Sequence, residues 1–131
     1  MVSGCEPGDA DGDQPTPPEL PYRYSTQHLE VHSDVPRCAG DLVRWEGFIE
    51  YVEDYLGVEM PAVFDLFVWD TPSFDSQTYC GGDFGGCLRR KQRISYSSLP
   101  AVEHELVHAI TADLPNKDAF LSEGLAEASR T

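Results

Sequence analysis

The sequence predicts one α+β domain, with a small sheet and one helix followed by two consecutive helices. Three observations support this fold class. The chain has 131 residues, 40% of them hydrophobic, which suits a single modest core. Short aromatic and β-branched runs, typical of strands, lie between loops up to residue 97. After that point, apolar residues recur at the spacing of an amphipathic helix.

The first 21 residues predict a flexible tether. The stretch EPGDADGDQPTPPELP, residues 6–21, holds five acidic residues, five prolines and no basic residue. Such a stretch cannot bury enough apolar surface to offset the entropy that it loses on ordering. We therefore expect an acidic, proline-rich tether over 1–21 and a folded domain over 22–131.

The first half of the domain is expected to contain a strand, a helix and a second strand, in that order. Residues 22–35 alternate apolar and polar side chains, which predicts a strand with one wet face. Residues 41–56 carry apolar side chains at alternating spacings of three and four, which predicts an amphipathic helix. Asp41 is the expected N-cap of this helix, and Gly57 is its expected stop. The run AVFDLFVW, residues 62–69, predicts a buried strand.

The second half begins with a loop and ends with two helices. Residues 70–91 are rich in glycine, serine and cysteine, so we expect a long loop. RISYS, residues 93–97, predicts another short strand. Ser98 can cap a helix over 99–112, and a last helix is expected over 118–129.

The four cysteines predict an extracytoplasmic protein. Cys80 and Cys87 flank GGDFGG, a loop flexible enough to bring the sulfurs together, so a disulfide between them is expected. A bond from Cys38 to one of them is the alternative. Cys5 ends the run VSGC, which looks like the end of a bacterial lipoprotein signal with a lipidated cysteine. The other interpretation of Cys5 is a chance cysteine in the tether. Disulfides together with such a signal predict a location in the bacterial cell envelope or secretion.

The charge balance excludes several classes of partner. The chain has 23 acidic and 9 basic residues, a formal charge of −14. A nucleic-acid backbone needs a basic face, and so does docking on anionic lipid. No apolar run approaches the roughly 18 residues that a membrane-spanning helix needs. Membrane contact is therefore expected only through a lipid anchor at Cys5.

One helix carries residues that can bind a metal ion. The run EHELVHAI contains the HExxH arrangement. His104 and His108 are four residues apart, so their rings project from one helical face and can bind one ion together. Glu105 lies about 100° further round the helix, where it can reach a water molecule without being a ligand. The run is otherwise apolar on the side of the histidines, which predicts a largely buried helix, and buried histidines need partners.

Two glutamates in the last helix complete the expected site. A catalytic zinc takes three protein ligands and keeps a fourth position open. A turn after the HExxH helix can fold the last helix back, so that Glu123 faces the two imidazoles as third ligand. Glu127, one turn further on, lies on the same side. We expect it to accept the other ring N–H of a ligand histidine, His104, and to fix its tautomer.

These motifs resemble those of the gluzincin metallopeptidases. HELVH followed by SEGLAE is similar to that family, whose active-site helix carries HExxH and whose third ligand is a glutamate on the next helix. The resemblance covers residues 99–128 and implies a compact zincin-like fold. It implies Glu105 as the general base and Glu127 as the family's supporting acidic residue. The zinc ligands that it implies are His104, His108 and Glu123.

The resemblance also leaves parts of the site to be supplied. The family aligns its substrate on a strand at the sheet edge, for which residues 93–97 are the candidate. It takes its oxyanion-stabilising Tyr or His from a segment after the glutamate helix, whereas this chain ends at Thr131. The resemblance thus implies a domain truncated at its C-terminus, or an electrophile from elsewhere, with Tyr96, His28 and His32 as candidates. In a strand, the two histidines lie about 13 Å apart, which predicts a wet strand face and no shared ion.

The expected function is hydrolysis of peptide bonds by a zinc metallopeptidase that acts on a peptide or protein. The alternative is a catalytically inactive binding module at the cell surface, in which zinc stabilises a small core. A third interpretation is a disulfide-bonded globule without a metal. Metal content and peptide cleavage together distinguish the three.

Overall fold

A five-stranded mixed sheet forms the framework of the part of the chain that the computed structural model describes, residues 15–114. The strands are β1 (Tyr22–Ser25), β2 (Leu29–Ser33), β3 (Phe64–Trp69), β4 (Gly86–Arg89) and β5 (Ile94–Ser98). The α-helices within this range are α1 (Ala39–Leu56), α2 (Ser76–Cys80) and α3 (Val102–Ile110). The strand order is β1-β2-β3-β5-β4, in which the three central strands are parallel and both outer strands are antiparallel to their neighbours. The predicted α+β class is confirmed.

The segment predicted as the first strand, 22–35, is a hairpin of two strands, so the prediction of one strand is wrong. The chain reverses after β1 because the backbone N–H of Thr26 donates to the Leu29 carbonyl at 2.8 Å. β2 keeps the predicted alternation, since Leu29 and Val31 are buried and their polar neighbours are partly exposed. β2 therefore contributes its apolar face to the core.

Helix α1 begins earlier than the sequence predicts. Cys38, with an extended backbone, occupies the N-cap position, and Asp41 lies inside the first turn. An acidic side chain is also favourable there, because the helix dipole is positive at its N-terminus. The predicted stop is confirmed, since Gly57 adopts the left-handed conformation with φ 71°. The buried side chains of α1 are Trp45, Ile49 and Val52.

The segment 70–91 is more ordered than the predicted long loop, because it contains α2 and β4. Glycine has weak strand propensity, but the ladder with β5 makes residues 86–89 a strand. The predicted disulfide is confirmed: Cys80 at the end of α2 is bonded to Cys87 in β4, with an S–S distance of 2.09 Å. The alternative pairing is excluded, since Cys38 is a free and exposed thiol.

The two faces of the sheet bury different sets of side chains. On one face, Leu66 and Val68 of β3 pack with the buried residues of α1 and α3. On the other face, Phe67 and Trp69 of β3 join Tyr96 of β5 in an aromatic cluster. The segment between β3 and β4 covers this cluster with three partly buried rings, Phe74, Tyr79 and Phe84. Helix α3 thus packs on the first face only.

Helix α3 is shorter than the predicted helix over 99–112. A 3-10 turn, Leu99–Ala101, precedes it. Ser98 does not cap with its side chain, because its hydroxyl donates to the carbonyl of Gly85, the residue before β4, at 2.9 Å. The last predicted helix, 118–129, lies outside the described residues. Between residues 15 and 114, no helix combines the length and apolar character needed to cross a membrane.

Candidate metal centre

Helix α3 brings His104 and His108 side by side. Their ring centroids are 5.0 Å apart and their planes are inclined at 60°. Both side chains are buried, at 7% and 8% exposure, although imidazole is a polar group. Two imidazoles at this separation on one helical face suit the ligand chemistry of zinc, which binds ring nitrogens at about 2.0–2.1 Å.

Glu105 is directed from α3 towards the strand β4. Its side chain is 1% exposed, the lowest value of any carboxylate in the described range. A methyl group built on Gly86 of β4 would lie 2.9 Å from Cγ of Glu105 and 3.1 Å from its Oε2. The carboxylate therefore lies close to the backbone of the sheet at Gly86. In sequence, Glu105 lies between the two histidines. Among residues 15–114, Glu105 is thus the carboxylate most withdrawn from bulk water.

The strand next to α3 at the sheet edge is β4. The sequence predicts a strand at 93–97, and β5 (Ile94–Ser98) confirms it with a shift of one residue. The expectation that this strand forms the edge is wrong, because β5 pairs with β3 on one side and with β4 on the other. The edge position belongs to Gly86–Arg89. The signal that could have indicated it is the run GGCLR, a short apolar stretch after the glycines.

Tyr96 lies on the opposite face of the sheet from α3. Its ring is fully buried and stacks on Tyr79 with centroids 4.9 Å apart. Its hydroxyl has no hydrogen-bond partner among residues 15–114. Burial raises the pKa of Tyr96 to about 12. The sheet thus separates this candidate electrophile from the two histidines of α3.

His28 and His32 each contact a carboxylate. His32 stacks on Phe67 at 4.1 Å between centroids, and its Nε2 lies 3.0 Å from Oδ1 of Asp65. His28 lies just before β2, and its Nδ1 is 2.6 Å from Oε1 of Glu46 on α1. Both are partly buried, so the expected wet strand face is only half right. Their partners belong to α1 and β3, so these two histidines connect β2 and the turn before it to the neighbouring elements.

Three residues of the expected site lie outside the described residues: Glu123, Glu127 and Cys5. Within residues 15–114, no group of three His, Cys, Asp or Glu side chains comes together to hold a metal ion. The described part of the chain contributes the two adjacent imidazoles of α3 and the buried carboxylate of Glu105.

No protein-family model matches this chain, and neither a curated protein nor a solved structure is significantly similar to it. The Cys80–Cys87 disulfide is compatible with an extracytoplasmic location, where such bonds persist.

Proposed function

We propose that the protein is a zinc-dependent peptide hydrolase of the gluzincin type with a compact zincin-like fold. The observation that carries the proposal is the buried Glu105 on the same helix as two imidazoles whose centroids lie 5.0 Å apart. His104 and His108 hold the metal, with Glu123 as third ligand. Glu127 supports the ligand set by orienting His104.

The chain's own residues have defined roles in this reaction. Zinc, when bound, polarises the scissile carbonyl and lowers the pKa of water from about 16 towards about 7. Glu105 accepts a proton from the attacking water and passes it to the leaving amine. Its burial favours the task, because electrostatic interactions are stronger where water is excluded.

The substrate is expected to align on β4. Among the described residues, this strand pairs only with β5, so its outer edge can accept an extended peptide. Gly86, where β4 begins, is also the residue that Glu105 contacts. A peptide added to this edge would therefore pass beside the general base.

The test replaces Glu105 by Gln and uses Glu103→Gln as the matched control. Glu103 lies on the same helix, is partly exposed, and its carboxylate is 3.8 Å from Arg44 Nε. We expect Glu105→Gln to keep stoichiometric zinc and to lower kcat for peptide cleavage by about 10²–10⁴-fold. Glu103→Gln should keep both the zinc content and the kcat of the wild type. Equal cleavage of a peptide library by wild type and Glu105→Gln would show that the assignment is wrong.

One observation favours a second function, a zinc-stabilised binding module without turnover. Tyr96 lies behind the sheet, so it cannot act as electrophile at α3. Stoichiometric zinc in a full-length protein that cleaves no peptide would support this function.

For the cellular location, we propose the bacterial envelope, with Cys5 lipidated, or secretion. Mass spectrometry of the N-terminus in the native host tests the lipid.

A further inference from the structure

A close approach between α3 and β4 occurs at Gly86. A methyl group at this position would lie 2.9 Å from Cγ of Glu105 and 2.9 Å from the carbonyl oxygen of Tyr96. Real Cβ atoms essentially never show contacts this short, so the Glu105 side chain, the helix or the strand would have to move. Position 86 therefore admits only a residue without a side chain while Glu105 stays where it is.

This restriction belongs to Gly86 and not to the glycine-rich run as a whole. Gly85, the residue before it, has ample room: its methyl group would lie 3.4 Å from Cβ of Ala101 and 3.8 Å from Oγ of Ser98. Those are ordinary van der Waals distances. Neither glycine has the positive φ of Gly57 and Gly81, so the need for glycine at 86 is one of space.

The strand that carries Gly86 is fixed on several sides. Gly86 pairs with Ser97 in the ladder between β4 and β5. The next residue, Cys87, is bonded to Cys80 on the opposite face of the sheet. The preceding residue, Gly85, accepts hydrogen bonds from both the backbone N–H and the hydroxyl of Ser98, each at 2.9 Å. These contacts hold β4 in position, so the glutamate side chain is the part whose conformation adapts.

We propose that Gly86 is a positioning residue that sets where the carboxylate of Glu105 lies. This inference rests on the proposed function for its catalytic consequence, but not for its structural content. The absent side chain leaves a slot on β4, and the slot holds Cγ and Oε2 of Glu105 in one arrangement. A side chain at 86 would push the carboxylate away from it, and a shift of about 1 Å in a catalytic group can cost ~10²-fold in rate.

A double-mutant cycle tests the slot without any need for activity. Gly86→Ala is expected to lower the midpoint of thermal unfolding by about 10 °C, as overpacking does. In a Glu105→Ala background, half of that loss or more should disappear, because Cγ and Oε2 are gone. Gly85→Ala should show no such coupling. An equal loss in both backgrounds would overturn the proposal, because the Tyr96 carbonyl alone would then account for the clash.

Kinetics of the full-length zinc-loaded protein test the catalytic consequence. We expect Gly86→Ala to lower kcat about 10²-fold at unchanged KM and zinc content, and Gly85→Ala to match the wild type. Coupling in unfolding with an unchanged kcat would overturn the positioning role while the proposed function stands. If the unfolding cycle shows coupling but the wild-type protein cleaves no peptide, the proposed function is overturned and the slot is supported. If Gly86→Ala fails to fold, restored folding in Gly86→Ala/Glu105→Ala supports the proposal, and continued failure overturns it.

Discussion

His28 shows how a single polar residue ties two elements of this fold together. Its Nδ1 lies 2.6 Å from Oε1 of Glu46, and its Nε2 lies 3.7 Å from Oε2 of Glu53 two helical turns further on. Glu46 also accepts hydrogen bonds from the backbone N–H of His28 and from the hydroxyl of Thr26. These bonds hold the turn before β2 against α1, and each group satisfies a partner that burial would otherwise leave unpaired.

Glu46→Gln is predicted to destabilise the fold in a pH-dependent way. Burial alone would raise the pKa of Glu46, but the hydrogen bonds from His28 and Thr26 outweigh it and hold the pKa below its usual range. A lowered folded-state pKa contributes stability above the unfolded value of about 4.3, and this stability is lost as pH falls through the folded value. We expect a loss of about 1 kcal/mol at pH 7 that is smaller at pH 3, measured by urea unfolding.

The control for this prediction is Glu50→Gln on the same helix. Glu50 is exposed, so its replacement should change the free energy of unfolding by less than about 0.5 kcal/mol at either pH. A penalty for Glu46→Gln that is as large at pH 3 as at pH 7 would contradict the prediction. The charge of the carboxylate would then not be the source of the stability.

At the scale of elements, glycines decide where several of them begin, end and touch. Gly57 ends α1 because its φ of 71° is unfavourable for a residue with a side chain. Gly47 lies inside the same helix, is exposed, and has no neighbour within 4 Å of a methyl group built on it. Replacing these two glycines by alanine should therefore have opposite effects on the stability of the fold.

Alanine at these two positions is predicted to change stability in opposite directions. Gly57→Ala should destabilise by about 1 kcal/mol, because alanine pays a steric penalty in the left-handed conformation. Gly47→Ala should stabilise by about 0.5–1 kcal/mol, because alanine loses less backbone entropy in a helix. The measurement is the free energy of unfolding in urea for each variant against wild type. Changes of the same sign would contradict the conformations assigned to α1.

For the whole molecule, the sheet separates the helical side, which carries His104 and His108, from an aromatic side. Helices α1 and α3 lie on the face that carries Leu66 and Val68, together with His104 and His108. The disulfide and the cluster around Tyr96 lie on the other face. The candidate ligands therefore belong to the main hydrophobic core, so metal binding should be coupled to global folding.

Zinc is predicted to stabilise the full-length protein against unfolding. At a free zinc concentration ~100 times Kd, the gain is about 2.7 kcal/mol, which chelation by EDTA should reverse. Glu123→Gln should abolish most of this gain, and Glu127→Gln should weaken zinc binding by about 10–100-fold. Differential scanning fluorimetry with and without zinc measures both. A Glu123→Gln variant that keeps the full stabilisation by zinc would show that Glu123 is not a ligand. His32→Ala is the control and should keep the full stabilisation.

The local features of this protein follow from its sequence, because they depend on residues close together in the chain. The helical spacing of His104 and His108, the stop at Gly57 and the bond between Cys80 and Cys87 are of this kind. Only the tertiary structure decided which strand forms the edge beside α3 and which face of the sheet buries Tyr96. Strand order depends on pairing between residues far apart in sequence, and a segment with weak strand propensity, such as β4, takes its place only when β5 is there to pair with it.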